Sequence, residues 1–321
     1  MDELAIEHFP EFFRAVTGFD PDRGFDLEGG HQPFRWQRRL AERVVRQGWP
    51  EVLDLPTASG KTATLEIAVF ALAAQANVGP GERTAPRRIF FVVDRRVVVD
   101  QAYERSRAIA SALSYALDET SVPRSVRTVA ERLQVMAGKG VSPLGHERLR
   151  GGVPRRNAWT RSPSQPAIIA CTVDQIGSRL LFRNYDGSPR TASIDAGLVG
   201  NDALILLDEA HCARPFHETM EGVRRYREWG ERTPHSPFHF VTLSATPDVV
   251  GMKDTSIDAF RLTPEERQAD EVLAKRLDAS KPAALTVARK ARVPRGGGWR
   301  EIADAREKLA RNLAEIKEKH Q

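Results

Sequence analysis

Cysteine is scarce: Cys171 and Cys212 are the only two in 321 residues. Two lone cysteines far apart in sequence exclude a disulfide framework and a cysteine zinc site. They read as reduced, buried thiols at the ends of strands. Long hydrophobic runs are lacking too. The longest, Ile67 to Ala74, is too short to cross a bilayer. The acidic start, Met1-Asp2-Glu3-Leu4, has none of the basic-then-apolar layout of a secretory signal. A soluble cytoplasmic chain with no membrane partner is expected. Neither sign of charge is in large excess, with 48 Lys and Arg against 43 Asp and Glu. The net charge of +5 suits a polyanionic partner without requiring one. With 41% hydrophobic and 28% charged residues the composition is globular rather than disordered. The length allows one sizeable α/β domain with appendages or two small domains, and no internal repeat is visible.

What is present is an alternation. Strand-like runs at Glu51–Leu55, Arg88–Val93, Ala167–Cys171, Ala203–Leu207 and Phe238–Leu243 are separated by helix-like runs. Those helices are expected at 34–47, 61–75, 98–117, 173–182 and 216–229. Strands apolar on both faces with helices between them predict an α/β domain with a mostly parallel sheet covered on both sides. Residues 1–33 read as an N-terminal extension, a short helix around Phe9, Phe12 and Phe13 followed by a loop. The stretch from about 119 to 166 breaks the rhythm and reads as a long basic insertion without regular structure, with nine basic and three acidic residues. It is either a nucleic-acid contact or a solvated surface loop. Beyond 262 the chain reads as a charged linker, with a flexible Arg295-Gly296-Gly297-Gly298 link. A final helix has Trp299, Ile302, Leu309, Leu313 and Ile316 on one apolar face.

Three short segments carry chemistry. Pro56-Thr57-Ala58-Ser59-Gly60-Lys61-Thr62 follows a strand and opens a helix, the setting a phosphate loop needs. Its amides and the helix dipole favour an anion, Lys61 suits the β/γ-phosphates, and the Thr62 hydroxyl suits Mg²⁺. Leu55 stands where the strict phosphate-loop pattern has glycine. Leu206-Leu207-Asp208-Glu209-Ala210-His211 puts two carboxylates at a strand end. Asp208 is the candidate Mg²⁺ holder, Glu209 the residue that polarises an attacking water, and His211 the link from the γ-phosphate toward a nucleic-acid path. Ser244-Ala245-Thr246 follows another strand, and its hydroxyls are placed to bond the acidic segment and report its state.

Taken in order, Thr57–Thr62, Asp208–His211 and Ser244–Thr246 resemble motifs I, II and III of superfamily 2 helicases, over roughly residues 34 to 250. The resemblance implies a RecA-like lobe with ATP and Mg²⁺ as cofactors and Gln37 reading the adenine edge. It further implies that Arg95, Arg96, Thr172 and Gln175, in strand-end loops, lie against a nucleic-acid backbone. For these four a purely charged or polar surface role is the alternative.

A narrower likeness runs through Thr172–Arg183, Ala196–Gly200 and Leu207–His211, with Arg150-Gly151-Gly152 and Trp159 fitting the same pattern. It is similar to the CRISPR-associated helicase-nuclease of type I systems, in the subtype whose nuclease domain follows the motor. That family implies antiviral defence by ATP-driven 3′ to 5′ translocation on single-stranded DNA after recruitment to a guide-RNA effector complex. It also implies a second RecA-like lobe with an arginine finger and a His-Asp nuclease domain. Neither is expected here: no ordered room for a second lobe follows Pro264, and none of the eight histidines is followed by Asp. The expectation is therefore the first lobe of a motor, weak or inactive as an ATPase without the second. The alternatives are another superfamily 2 translocase or RNA helicase, or a catalytically silent nucleotide- or DNA-binding module.

Overall fold

The computed structural model describes residues 4–151, 158–183, 189–229, 236–245 and 257–279. Helix α1 (Phe9–Thr17) is followed by a small hairpin of β1 (Phe19–Asp20) and β2 (Gly24–Phe25), then α2 (Arg35–Gln47), β3 (Val52–Asp54), α3 (Thr64–Ala74) and β4 (Arg88–Val93). The long α4 (Arg96–Asp118) leads to α5 (Arg124–Ala137), β5 (Gly145–Leu149), α6 (Ala158–Arg161), β6 (Ala167–Thr172), α7 (Val173–Leu180) and α8 (Ala192–Gly200). Next come β7 (Ala203–Asp208), α9 (Arg214–Glu228), β8 (Phe238–Ser244), β9 (Ala259–Arg261), α10 (Pro264–Gln268) and α11 (Glu271–Asp278).

Seven strands form one sheet in the order β5-β6-β4-β7-β8-β3-β9, and every neighbouring pair is parallel. Period-two alternation sorts the side chains between two cores. Ile89, Phe91 and Val93 of β4, Ile168 and Ala170 of β6, and Leu204 and Leu206 of β7 join α1 to α5 on one face. Phe90, Val92, Ile169, Cys171, Ile205 and Leu207 join α6 to α9 on the other. Each central strand is thus apolar throughout because it is covered twice. The α/β expectation holds, and the sheet with helices on both faces has the layout of a RecA-like lobe.

Three sequence expectations need correction. The segment 119–166 is not a structureless loop. Val126, Val129, Ala130, Leu133 and Ala137 recur at helical spacing, and all are buried where α5 packs on α3 and α4. The interspersed arginines hid that stripe. Arg132 is itself buried, donating to the carbonyls of Ala73 and Ala74 at the end of α3. Residues before 34 carry the expected short helix, but it is part of the compact unit rather than an extension, since Phe9 and Phe12 pack on Phe70 in the larger core. Nor does the lobe end at 262. The compact unit runs to Asp278, with Leu273 fully buried and Glu266 held by the Arg39 guanidinium at 2.7 and 2.9 Å. The glycine link and the apolar stripe from Trp299 lie outside the described residues. Among the described residues, no helix is long and apolar enough to cross a membrane.

Candidate nucleotide site and strand-end loops

The loop after β3 reverses the chain in a short distance by using left-handed backbone at two alternate residues. Ala58 has φ +67° and Gly60 has φ +86°. Glycine is favoured at the second position because φ +86° strains a residue with a side chain, and a Cβ there would also stand a tight 3.2 Å from Gln37 Nε2. The loop is pinned from α2, where Trp36 Nε1 donates to the Ser59 carbonyl at 3.2 Å. One 3₁₀ turn, Lys61–Ala63, then leads into α3. Thr57, Ala58 and Thr62 are exposed, and Ser59 is buried.

Lys61 is 9% exposed, and its Nζ has no hydrogen-bond partner. It stands 3.9 Å from Asp208 Oδ1 and 3.8 Å from Glu209 Oε1. The strand order explains the meeting. β7 and β3 flank β8, so the ends of the strands carrying Asp208 and the phosphate loop face across it. Ser244, at the end of β8, is paired in register with Asp54 and buried between those two strand ends. Its carbonyl accepts from the Leu55 amide at 3.2 Å. Thr246 lies outside the described residues.

The acidic segment also departs from ordinary backbone. Glu209 has φ +51°, a left-handed conformation that costs a non-glycine residue about 1–2 kcal/mol. Its amide donates to Asp208 Oδ1 at 3.0 Å, and its Oε2 lies 3.4 Å from His211 Nδ1. Burial, the strongest influence, raises the Asp208 carboxyl above the usual carboxylate range; the Lys61 ammonium opposes that, and Glu209 reinforces it. A crevice of about 300 Å³ opens beside these groups, lined by Asp208, Glu209 and His211 on one side and by Val93, Asp94, Arg95 and Val98 on the other.

A second cavity, of about 310 Å³, lies on the other side of the phosphate loop. Phe34, Gln37, Gly60 and Thr62 line it, along with Arg105 from α4, Asp270 just before α11, and Val272 and Arg276 from α11. Gln37 is half committed, because its Oε1 accepts the Phe34 amide at 2.8 Å and its Nε2 approaches the Gly60 carbonyl at 3.4 Å. Thr62 and Asp208 thus line different cavities, and Lys61 is the residue that bridges toward the acidic pair. Sequence reasoning missed Arg105, whose guanidinium pairs with the buried Glu66, and the whole α11 wall. A signal for the wall was available. Thr263-Pro264-Glu265-Glu266 is a capping box that opens α10, directly ahead of α11; Thr263 Oγ1 accepts the Glu266 amide at 3.2 Å and Glu266 Oε2 accepts the Thr263 amide at 3.0 Å.

The four nucleic-acid candidates divide. Arg95 and Arg96 are exposed at the start of α4. Thr172 and Gln175 are each only 7% exposed. Thr172 is the last residue of β6. Gln175 turns inward on α7, where its Oε1 accepts from the buried Arg179 at 2.8 Å. Among the described residues no group of three or more His, Cys, Asp and Glu side chains gathers as a metal cluster. The carboxylate set fits Mg²⁺ nonetheless, since that ion is commonly held by one or two carboxylates with phosphate oxygens and water.

No family model and no curated protein matches this chain. Among solved structures, the DUF1998 helicase MrfA bound to DNA is similar over 74% of this chain at 14% identity, with a TM-score of 0.44. The match covers 28% of that helicase's length.

Proposed function

We propose that the chain is the nucleotide-binding lobe of an ATP-dependent nucleic-acid motor. The observation that carries this reading is the Lys61 ammonium, buried without a hydrogen bond within 4 Å of two strand-end carboxylates. A buried cation lacking an acceptor is costly as a structural feature, and a phosphate chain supplies what it lacks. Bound MgATP would supply the phosphoanhydride whose hydrolysis drives a motor. Lys61 then neutralises phosphate charge, assisted by the loop amides around Gly60. Asp208 offers its oxygen to the cation. Glu209, set apart by its left-handed backbone, is positioned to polarise a water, and His211 orients the Glu209 carboxylate. Thr62 can join the cation only by turning from the cavity it now lines. Gln37 and Phe34 form a wall for a base.

The narrower reading, a motor of CRISPR antiviral defence acting on single-stranded DNA beside a guide-RNA complex, rests on the sequence likeness in 172–183, 196–200 and 207–211, with 150–152 and Trp159, alone. An arginine finger from another lobe is worth about 10³–10⁵ in rate, so this chain by itself should bind ATP and turn it over slowly. The test is nucleotide binding and steady-state turnover, with and without single-stranded DNA, beside Lys61→Ala. Binding abolished by Lys61→Ala, with slow or DNA-stimulated turnover, supports the proposal. Equal ATP binding by wild type and variant, or none by either, would overturn it and leave a silent module.

A further inference from the structure

Helix α9 buries one side and leaves an unusual one in water. Ala213, just before it, and its own Phe216 and Met220 are buried in the smaller core. At 3.6 residues per turn the opposite side carries Glu218, Gly222 and Arg225, with Trp229 at the C-cap. Trp229 is 68% exposed and Tyr226 beside it 61%. Their rings meet edge to face at 5.0 Å, and the Arg225 guanidinium stands 5.8 and 5.9 Å from the two centroids. Trp, Tyr and Arg together are the composition of an interface hot spot. Arg224 and Arg227 on the same turn are already spent, the first on Glu51 and Glu221, the second on Gly200 and Asn201. Among the described residues Arg225 has no carboxylate partner. Gly222 interrupts the same side. Glycine is a poor helix former, and a Cβ added there would meet nothing within 4 Å. Nothing inside this copy calls for a glycine at that position; close approach from outside does.

The exposed groups match one another when α9 is laid antiparallel on a copy of itself about Gly222. Glu218 then falls opposite Arg225 and Tyr226 of the second copy, and Pro215 opposite its Trp229. The same two-fold carries Tyr226 to the mouth of a groove of about 380 Å³ between α7 and the first half of α9. Val173, Leu181, Pro215, Phe216 and Thr219 are among its walls, and Leu181 is 57% exposed. Knob and groove, and cation and anion, thus sit at opposite ends of one helix, which is the arrangement a two-fold contact needs.

We infer that α9 is a self-association surface on which two copies of this chain pair antiparallel about Gly222. Glu218 and Arg225 form two reciprocal ion pairs, Trp229 covers Pro215, and Tyr226 closes the groove. Because α9 joins the parallel strands β7 and β8, it runs against them. The pair therefore points its two strand-end edges in opposite directions, and the pairing does not depend on the motor reading. One helix pair buries less than the roughly 1,200 Å² where stable interfaces begin, so the dimer is weak, with a Kd of about 10–100 μM.

The test is sedimentation velocity of the full chain over a concentration series spanning that range. Wild type should pass from monomer to dimer, and Trp229→Ala should weaken pairing about tenfold or more. Gly222→Ala separates helix from interface: alanine favours the helix, so the monomer's Tm should rise while the dimer weakens. Arg225→Glu and Glu218→Arg, both at exposed positions, should each be folded by circular dichroism and monomeric alone. An equimolar mixture of the two should dimerise, because each supplies the charge the other has lost. A wild type that stays monomeric throughout would overturn the inference. So would a dimer that these variants leave intact, which must use another surface, or a mixture that fails to pair. Labelled oligo-dT, followed by anisotropy, should bind wild type and Trp229→Ala equally. A loss in Trp229→Ala with no change in pairing would assign the rings to base stacking instead.

Discussion

Asp208 sits where burial works against its charge and Lys61 works for it. Its carboxyl is raised, so the folded state holds a proton more readily than the unfolded chain does. For such a group the ionised form at neutral pH costs folding free energy. Asp208→Asn should therefore stabilise the fold by ~1 kcal/mol, a rise of about 2–4 °C in Tm, while nucleotide turnover falls below detection. Differential scanning calorimetry beside the turnover assay checks both halves, and a lower Tm in the variant would contradict the argument. His239 runs the other way. Burial, the largest influence, lowers its imidazole below the usual value near 6.5, against the Thr84 carbonyl that lies 2.9 Å from Nε2. A group depressed in this way contributes stability that is complete above about pH 6.5 and lost as pH falls, because the unfolded chain takes up the proton first. The urea midpoint should drop between pH 7.5 and 5.5, and the drop should be smaller in His239→Gln. An equal drop in both would assign the effect to other groups.

At the scale of elements, the sequence exposed what repeats locally and concealed what depends on neighbours. β4, β6 and β7, each with five apolar residues in a row, were legible because being covered twice leaves no polar face to confuse the pattern. α5 was not, since Arg124, Arg127 and Arg132 are interspersed with its buried stripe, and only the fold shows that Arg132 is buried and caps another helix. β9 was missed for its shortness, three residues whose pairing with β3 comes from the sheet edge rather than from its own composition. The same division holds within the site. Lys61 and Asp208 could be named from loop and strand-end chemistry, and the structure sets them 3.9 Å apart. Gln175 could not be judged, because whether a helix's first turn faces solvent or core is decided by Arg179 and the packing around it. If α5 is an integral layer, Leu133→Ala, at a fully buried position, should cost ~2–5 kcal/mol. A solvated insertion would lose less than ~0.5 kcal/mol. Chemical denaturation decides between them.

At the scale of the molecule, the question is where the lobe ends. The chain crosses to the outer edge of the sheet at β9 and then returns over α2. Phe260 is buried in the larger core, the Arg39 guanidinium lies 3.9 Å above its ring, and the same guanidinium holds Glu266. Leu273 reaches that core from α11, whose Val272 and Arg276, with Asp270 just before the helix, wall the cavity beside Gln37. These contacts tie residues 263–278 to the stability of the lobe and to the base side of the candidate nucleotide site at once. Two truncations separate this from the reading of a charged linker. A chain ending after Asp278 should keep the full chain's Tm and ATP affinity. One ending after Leu262 loses the Leu273 burial and strands Arg39 over Phe260, a combined cost of ~3–5 kcal/mol. It should melt several degrees lower and bind ATP more weakly, with the weakening greater for ATP than for inorganic tripolyphosphate, which has no base to place against Phe34 and Arg276. Equal melting of the two truncations would return the boundary to 262. Equal loss of ATP and tripolyphosphate would mean that α11 supports the fold of the phosphate loop rather than the base.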